Sequence, residues 1–159
     1  MPSDAFLLID GITGESLAMT NNIELDGYSF SGMNPAGVTG KGLSAGKVSM
    51  GEFNFSCPTD TSSYQILKDL YTGQHIATVT LSVRKSGGGT QPYVYLTVTM
   101  TKCYVTSWSF GGGSTGIPNQ SCTIAYEQVK FEYFTQDTTS GSVTQAGSAT
   151  YNLATTTQS

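Results

Sequence analysis

The sequence predicts a mainly β domain: a closed or nearly closed antiparallel β-barrel with bulged strands and one flanking α-helix. Three observations predict it. Segments with an apolar residue at every second position recur along most of the chain, the signature of strands with one buried face. In three of them the apolar phase slips by one residue, at Asp26-Gly27, Gly51-Glu52 and Glu127-Gln128. An extra residue in a strand makes a bulge that bends and twists it, and repeated bends are what a small barrel needs. Finally, a single stretch carries helical periodicity.

In chain order, Phe6-Leu-Leu-Ile9 is a continuous apolar run, which implies burial on both faces. Ile23, Leu25, Tyr28 and Phe30 form the next strand segment. The Gly- and small-residue-rich stretch Gly32–Gly46 (GMNPAGVTGKGLSAG) reads as an extended loop. Unstructured loops beyond about 12 residues are uncommon and usually functional. Val48, Met50, Phe53 and Phe55 return to alternation. Asp60 to about Tyr71 is the helix: Asp60 as N-cap, Tyr64, Leu67 and Tyr71 as an apolar stripe flanked by Ile66 and Leu70, and Gly73 just past the end. It is expected to lie across an opening or edge of the barrel. Val79, Leu81 and Val83 are joined to Val94, Leu96, Val98 and Met100 by Ser86-Gly-Gly-Gly-Thr90, a hairpin turn. Gly111–Gly116 is a further connection. Ile124, Tyr126, Val129, Phe131 and Tyr133 close the core. The tail 137–159 leaves two alternatives, a mobile end or a short strand on the barrel. Residues 1–159 are expected to form one domain.

The chain is 38% hydrophobic, which suits a packed core, but only 11% charged. Ser, Thr, Gly, Asn and Gln stand in for the missing charge, which suits a surface that stacks on copies of itself without self-repulsion. With a net charge of -4 and no basic cluster, nucleic-acid binding is not expected. Nor is membrane insertion, since no stretch nears the ~20 apolar residues of a span. The N-terminal Met1-Pro-Ser-Asp-Ala-Phe-Leu-Leu-Ile-Asp10 places an acid where a signal peptide carries basic residues, so export without a cleaved signal is expected. Cys57, Cys103 and Cys122 match no zinc or redox spacing and read as three reduced thiols.

Catalytic patterns are sparse, and no catalytic, metal or cofactor site is expected. His75 is the sole histidine, too few for a multi-histidine metal site, and no Gly-x-Ser-x-Gly elbow accompanies it. Glu24 and Asp26, at i and i+2, are the best candidate carboxylate pair, at about 6–7 Å on one strand face. The chain offers one Trp, Trp108, and so no aromatic platform for a sugar. Gly40–Val48 fails the phosphate-loop pattern at Lys41 and Val48.

An ordered series of segments resembles the Hcp (haemolysin-coregulated protein) family of type VI secretion tube proteins. The segments are Phe6 to Ser16, Tyr28-Ser-Phe-Ser-Gly-Met-Asn-Pro35, Ala45-Gly-Lys-Val-Ser49 with Phe53-Asn-Phe55, Thr72-Gly-Gln-His-Ile76, Leu81 to Gly88, and Tyr126 to Gln136. The resemblance implies a barrel assembling into a ring of six. Stacked rings would make a tube, driven out by a contractile sheath and capped by a spike protein, with small effector proteins carried or sheltered in the lumen. It implies assembly in the bacterial cytoplasm and secretion to the exterior or into target cells. It places Ser29, and less securely aligned Ser114, against the lumen, and makes Gly32–Gly46 the loop that reaches a neighbouring ring. Where the family often has unbroken glycines, this chain has Gly40-Lys-Gly-Leu-Ser44. Asn34, Pro35, Val38, Lys41 and Leu43 are therefore the expected docking residues of that loop. A phage-type tail-tube subunit and a secreted monomeric binding domain are the alternative functions.

Overall fold

The computed structural model describes residues 4–86 and 91–159. The glycines and Thr90 of the expected Ser86–Thr90 hairpin turn thus lie outside the described residues. The elements are β1 (Ala5–Ile9), β2 (Ile23–Glu24), β3 (Gly27–Ser29), β4 (Gly32–Met33), β5 (Ala36–Thr39), β6 (Gly42–Ala45), β7 (Ser49–Met50), β8 (Phe53–Pro58), α1 (Ser62–Thr72), β9 (Ile76–Ser86), β10 (Pro92–Gly111), β11 (Asn119–Gln136), β12 (Val143–Asn152) and β13 (Thr157–Gln158).

The main sheet runs β13-β12-β11-β10-β9-β1-β2, and β8 pairs with both β11 and β3; every pairing is antiparallel. β2 and β3 are successive parts of one segment that bridges the two sheet edges. The Leu25 N–H donates to the Ala5 carbonyl at 3.0 Å, on the β1 side, and the Asp26 N–H donates to the Ser56 carbonyl at 2.8 Å, on the β8 side. The segment changes partner between those residues, and the barrel is nearly closed.

The barrel is filled by alternate side chains of these strands, among them Leu7, Ile9, Leu25, Phe53, Phe55, Leu81, Met100 and Ile124, all buried. Phe6 points the other way yet is also buried, because the Arg84 guanidinium lies 4.5 Å from its ring centroid and reaches on to the Ala18 carbonyl. The run Phe6–Ile9 is thus covered on both sides, except at Leu8, which is exposed.

The phase slips have a different physical origin from the one expected at each place. At Asp26 the strand changes partner. At Gly51 the chain passes from β7 to β8. At Glu127-Gln128 the pairing with β10 keeps its register, because Thr101↔Gln128 and Cys103↔Tyr126 share it. The buried phase changes there in both strands at once, from Met100 to Cys103 and from Tyr126 to Val129. Lys102 absorbs the kink with a left-handed φ of 55°. True register shifts occur instead between Val94 and Leu96, Val105 and Ser107, and Tyr133 and Phe134. Bulges therefore bend the strands as expected, but at other residues.

Helix α1 packs on β10. It starts one residue beyond Thr61, yet Asp60 still does the capping: its carboxylate accepts from the Ser62 N–H at 2.9 Å, and its own N–H donates to Ser63 Oγ at 3.0 Å. Gly73, at φ 64°, ends the helix as expected. The buried stripe is Ser62, Ser63 and Ile66, with Leu70 partly covered, while Tyr64 and Tyr71 face outward. The expected Tyr64-Leu67-Tyr71 stripe is one helical step out of phase. Two serines on the inner face bring the helix close to the sheet, and phenol hydroxyls lose little by staying wet.

The tail supplies β12, which pairs with β11 from Gln128 to Gln136, and β13, which pairs with β12. Tyr151 and Leu153 pack against the core.

Cys57, Cys103 and Cys122 are free and buried. Burial pushes their thiols up to about 12, 11 and 12 respectively, and Tyr126 up to about 12. The unfolded chain ionises these groups more easily, from reference values of 9.0 for the thiols and 10.0 for the phenol. Stability from keeping them neutral is therefore complete below about pH 9 and is lost as pH rises from there towards 12. The thermal midpoint is expected to fall steadily between about pH 8.5 and 11; a flat profile contradicts this assignment.

Candidate functional site

Two surfaces of the molecule stand out. The first is the sheet face opposite the core where β3, β8, β11 and β10 lie side by side. Its outward positions form two cross-strand rows. Ser29 pairs with Asn54, Asn54 with Thr123 and Thr123 with Ser107; beside them Gly27 pairs with Ser56, Ser56 with Ser121 and Ser121 with Ser109. The Thr123 hydroxyl donates to Asn54 Oδ1 at 2.7 Å, locking the first row. Together with Tyr28 and buried core residues beneath, the rows bound a shallow concavity of about 320 Å³ without a charged side chain. The wet face of a strand usually carries Lys, Glu or Arg for solubility. Here it carries hydroxyls and one amide.

The face is held rigid from below. Gln120 is buried on the core side, accepts from Trp108 Nε1 at 2.9 Å and donates to Cys57 Sγ at 3.3 Å. One buried amide thus ties β10, β11 and β8 together, and its polar atoms are satisfied. Trp108 also stacks on Phe110, with ring centroids 5.7 Å apart and planes 8° from parallel.

The second surface is an arm. The chain expected as an irregular loop at Gly32–Gly46 is a two-stranded ribbon, because its small residues let two backbones lie close. Gly32 pairs with Met50, the Gly46 N–H donates to the Pro35 carbonyl at 2.6 Å, and Ala36 to Thr39 pair with Ala45 to Gly42. A Cβ on Gly46 would stand 2.5 Å from the Pro35 carbonyl oxygen, so glycine is required there. The ribbon continues the β3–β8 pairing outward. Its base is fixed by the Gly51 N–H on the Ser31 carbonyl at 2.7 Å and by the Tyr126 hydroxyl, which donates to the Gly51 carbonyl at 2.7 Å.

Every residue from Gly32 to Gly46 is exposed. Val38 and Leu43, directly paired across the ribbon, are 83% and 76% exposed. Lys41 sits in the end turn, its N–H on Thr39 Oγ1, and Asn34 and Pro35 lie where the ribbon's outer half begins. The hairpin tip thus presents two adjacent apolar side chains to water.

Of the sequence-derived candidates, Ser29 lies in the hydroxyl rows, whereas Ser114 lies in the exposed connection between β10 and β11, beyond the end of the rows. Val38, Lys41 and Leu43 come together at the arm tip. The row residues Asn54, Ser56, Ser107, Ser109, Ser121 and Thr123 escaped the sequence reading. Their signal was present: they fill the alternate positions beside Phe53, Phe55, Cys57, Trp108, Cys122 and Ile124.

The catalytic candidates stay apart. Glu24 accepts from Ser16 Oγ at 2.9 Å and Asp26 accepts from Asn119 Nδ2 at 3.2 Å, on opposite sides of the partner change. His75 is exposed, with its ring edge-on to Tyr104 at 5.3 Å. Among the described residues, no three His, Cys, Asp or Glu side chains gather as a metal site would require. No helix among them is long and apolar enough to cross a membrane.

A family profile described as "Type VI secretion system effector, Hcp" matches residues 6–133. No curated protein matches the sequence. Among solved structures, the fold is similar to one described as a type six secretion system protein, with a TM-score of 0.88 at 23% identity over 99% of both chains. It is similar to Hcp1 from Salmonella typhimurium, with a TM-score of 0.79 at 27% identity over 100% of both chains. A third similar structure is a type VI secretion system effector from Yersinia pestis, with a TM-score of 0.74 at 27% identity over 94% of this chain and 99% of that one.

Proposed function

This chain belongs to the Hcp family of type VI secretion tube proteins, and from that premise we propose that six copies close into a ring whose hydroxyl-lined face is the lumen wall. Stacked rings form a conduit that a contractile sheath expels and a spike protein caps, and the chain performs no catalytic turnover. It assembles in the bacterial cytoplasm and leaves with the tube.

The observation that carries this reading is the pair of neutral hydroxyl rows. A wall that must pass or shelter different small effector proteins does best with side chains that hydrogen-bond water and bind nothing tightly. Charges would select cargo by sign, and large apolar groups would hold it. Ser29 belongs to this wall; Ser114 stands at its rim. A single copy also leaves Val38, Leu43, Tyr71 and Ile117 largely exposed. A ring and its neighbours would bury such surface, which an isolated molecule cannot do. The arm, with Asn34, Pro35, Val38, Lys41 and Leu43, is the element that reaches the next ring.

Sedimentation velocity of the purified chain tests the ring. A dominant species of about six times the 16.8 kDa chain mass is expected. A single 16.8 kDa species at tens of micromolar contradicts it.

A further inference from the structure

The arm is not joined to the barrel by an unbroken ladder. Between the pairs Ser29↔Asn54 and Gly32↔Met50 the chain takes three steps on one strand, from Ser29 to Gly32, and four on the other, from Met50 to Asn54. Gly51 and Glu52, in the longer stretch, lie in no strand. The ladder between β8 and β11 stops at the same level, with Phe53↔Ile124 as its last pair. Beyond it the arm's root and β11 part. An open apolar groove of about 570 Å³ lies between them. Phe30, Val48 and Met50 line it on the arm side, and Phe131, Ala149 and Tyr151 on the side of β11 and β12.

Apolar walls that face each other across water gain by closing. An interrupted ladder is also where a strand pair bends most easily. One side chain spans the gap. The Tyr126 ring is buried in the barrel at the next inward position of β11 after Ile124, and its hydroxyl donates to the Gly51 carbonyl at 2.7 Å. The Gly51 N–H in turn donates to the Ser31 carbonyl at 2.7 Å, so both strands of the root are tied to one phenol. Burial pushes that phenol up to about 12, so it remains a donor across the neutral range. On the other side, Thr106 Oγ1 lies 3.1 Å from Glu52 Oε2, but that contact is exposed and water competes for it.

We infer that Tyr126 is the positioning residue of the arm: its hydroxyl sets the angle between arm and barrel and holds the groove open. The inference deepens the assembly reading above, in which every copy must present its arm alike. An arm set in advance gives up less conformational freedom when it makes contact. One hydrogen bond is enough for this, because it chooses between settings of a hinge and not between a folded and an unfolded chain.

Spin-label distances test this. Tyr126→Phe and Tyr126→Leu both remove the hydroxyl and keep an apolar residue in the core. Nitroxides on Lys41→Cys, in the arm's end turn, and Gln145→Cys, on β12, read the angle, since the three native thiols are buried. Labelled chain is assembled with a large excess of unlabelled chain, so that only distances within one copy are measured. With Tyr126 present, one narrow distance distribution is expected. Both variants should still form rings, but at least about double the width of that distribution and move it to shorter distance as the groove closes. Without labels, they should stack at least about threefold less at equal concentration. A distribution unchanged in both variants, or already broad with Tyr126 present, overturns the assignment. A changed angle with unchanged stacking overturns the positioning role. A chain that stays monomeric overturns the ring reading instead, and the same label pair then decides the angle in the single chain.

Discussion

Replacing Phe53 with alanine is expected to remove about 3–5 kcal/mol of stability, and with it the assembled protein. Phe53 is fully buried, opposite Ile124, with its ring 6.1 Å from that of Phe55. It is the first residue of β8, where the arm's second strand enters the barrel. Truncation there opens a cavity where β8 enters the barrel, at the last residue of its pairing with β11. Against a total stability on the order of 5–15 kcal/mol, such a loss shifts the thermal midpoint by roughly 10 °C or more. Urea unfolding of the variant checks this, and a loss below about 1 kcal/mol shows that the barrel does not depend on this corner.

Ser121→Arg is expected to act in the opposite way, leaving the fold and removing the function. Ser121 is exposed at the middle of the second hydroxyl row, between Ser56 and Ser109. An arginine there touches no core residue and should change stability by less than about 0.5 kcal/mol. In a six-membered ring it places six positive charges around one lumen, where a low-dielectric wall focuses their field. Co-purification of basic effector proteins with the ring should fall at least tenfold, on the order of 1.4 kcal/mol or more, while ring formation persists. Unchanged cargo retention across basic and acidic effectors means the rows do not line the cargo path.

Much of this was legible in the sequence because strand periodicity is a short-range property. The alternations at Phe53–Phe55 and Leu81–Val83, the cap at Asp60 and the stop at Gly73 are set by neighbours within a few residues. Pairing is not local, so the phase slips gave the right architecture by an incomplete argument. The slip at Glu127-Gln128 is matched by one in β10, from Met100 to Cys103, and the two cancel in register. Nothing in either strand alone distinguishes that from a bulge. The helix was placed correctly but rotated, because Ile66 with Leu70 and Tyr64 with Tyr71 are both apolar lines at helical spacing. The extended loop was a ribbon because Gly46 and Gly51 admit close backbones, and a glycine reads the same in a loop and in a tight strand pair.

The site divides in the same manner. Ser29 entered through the family resemblance, and its partners in the rows through geometry alone, since Asn54, Thr123 and Ser107 are far apart in the chain and meet only through sheet register. Ser114 entered through the same resemblance, but it lies in a Gly-rich connection whose position relative to the sheet no local pattern fixes.

A reconstruction of the assembled chain by electron microscopy, with Ser121→Cys carrying a heavy-atom maleimide, tests the central claim most directly. Six label densities facing the interior of each ring are expected. Labels on the outer wall, or a particle without an axial opening, contradict it.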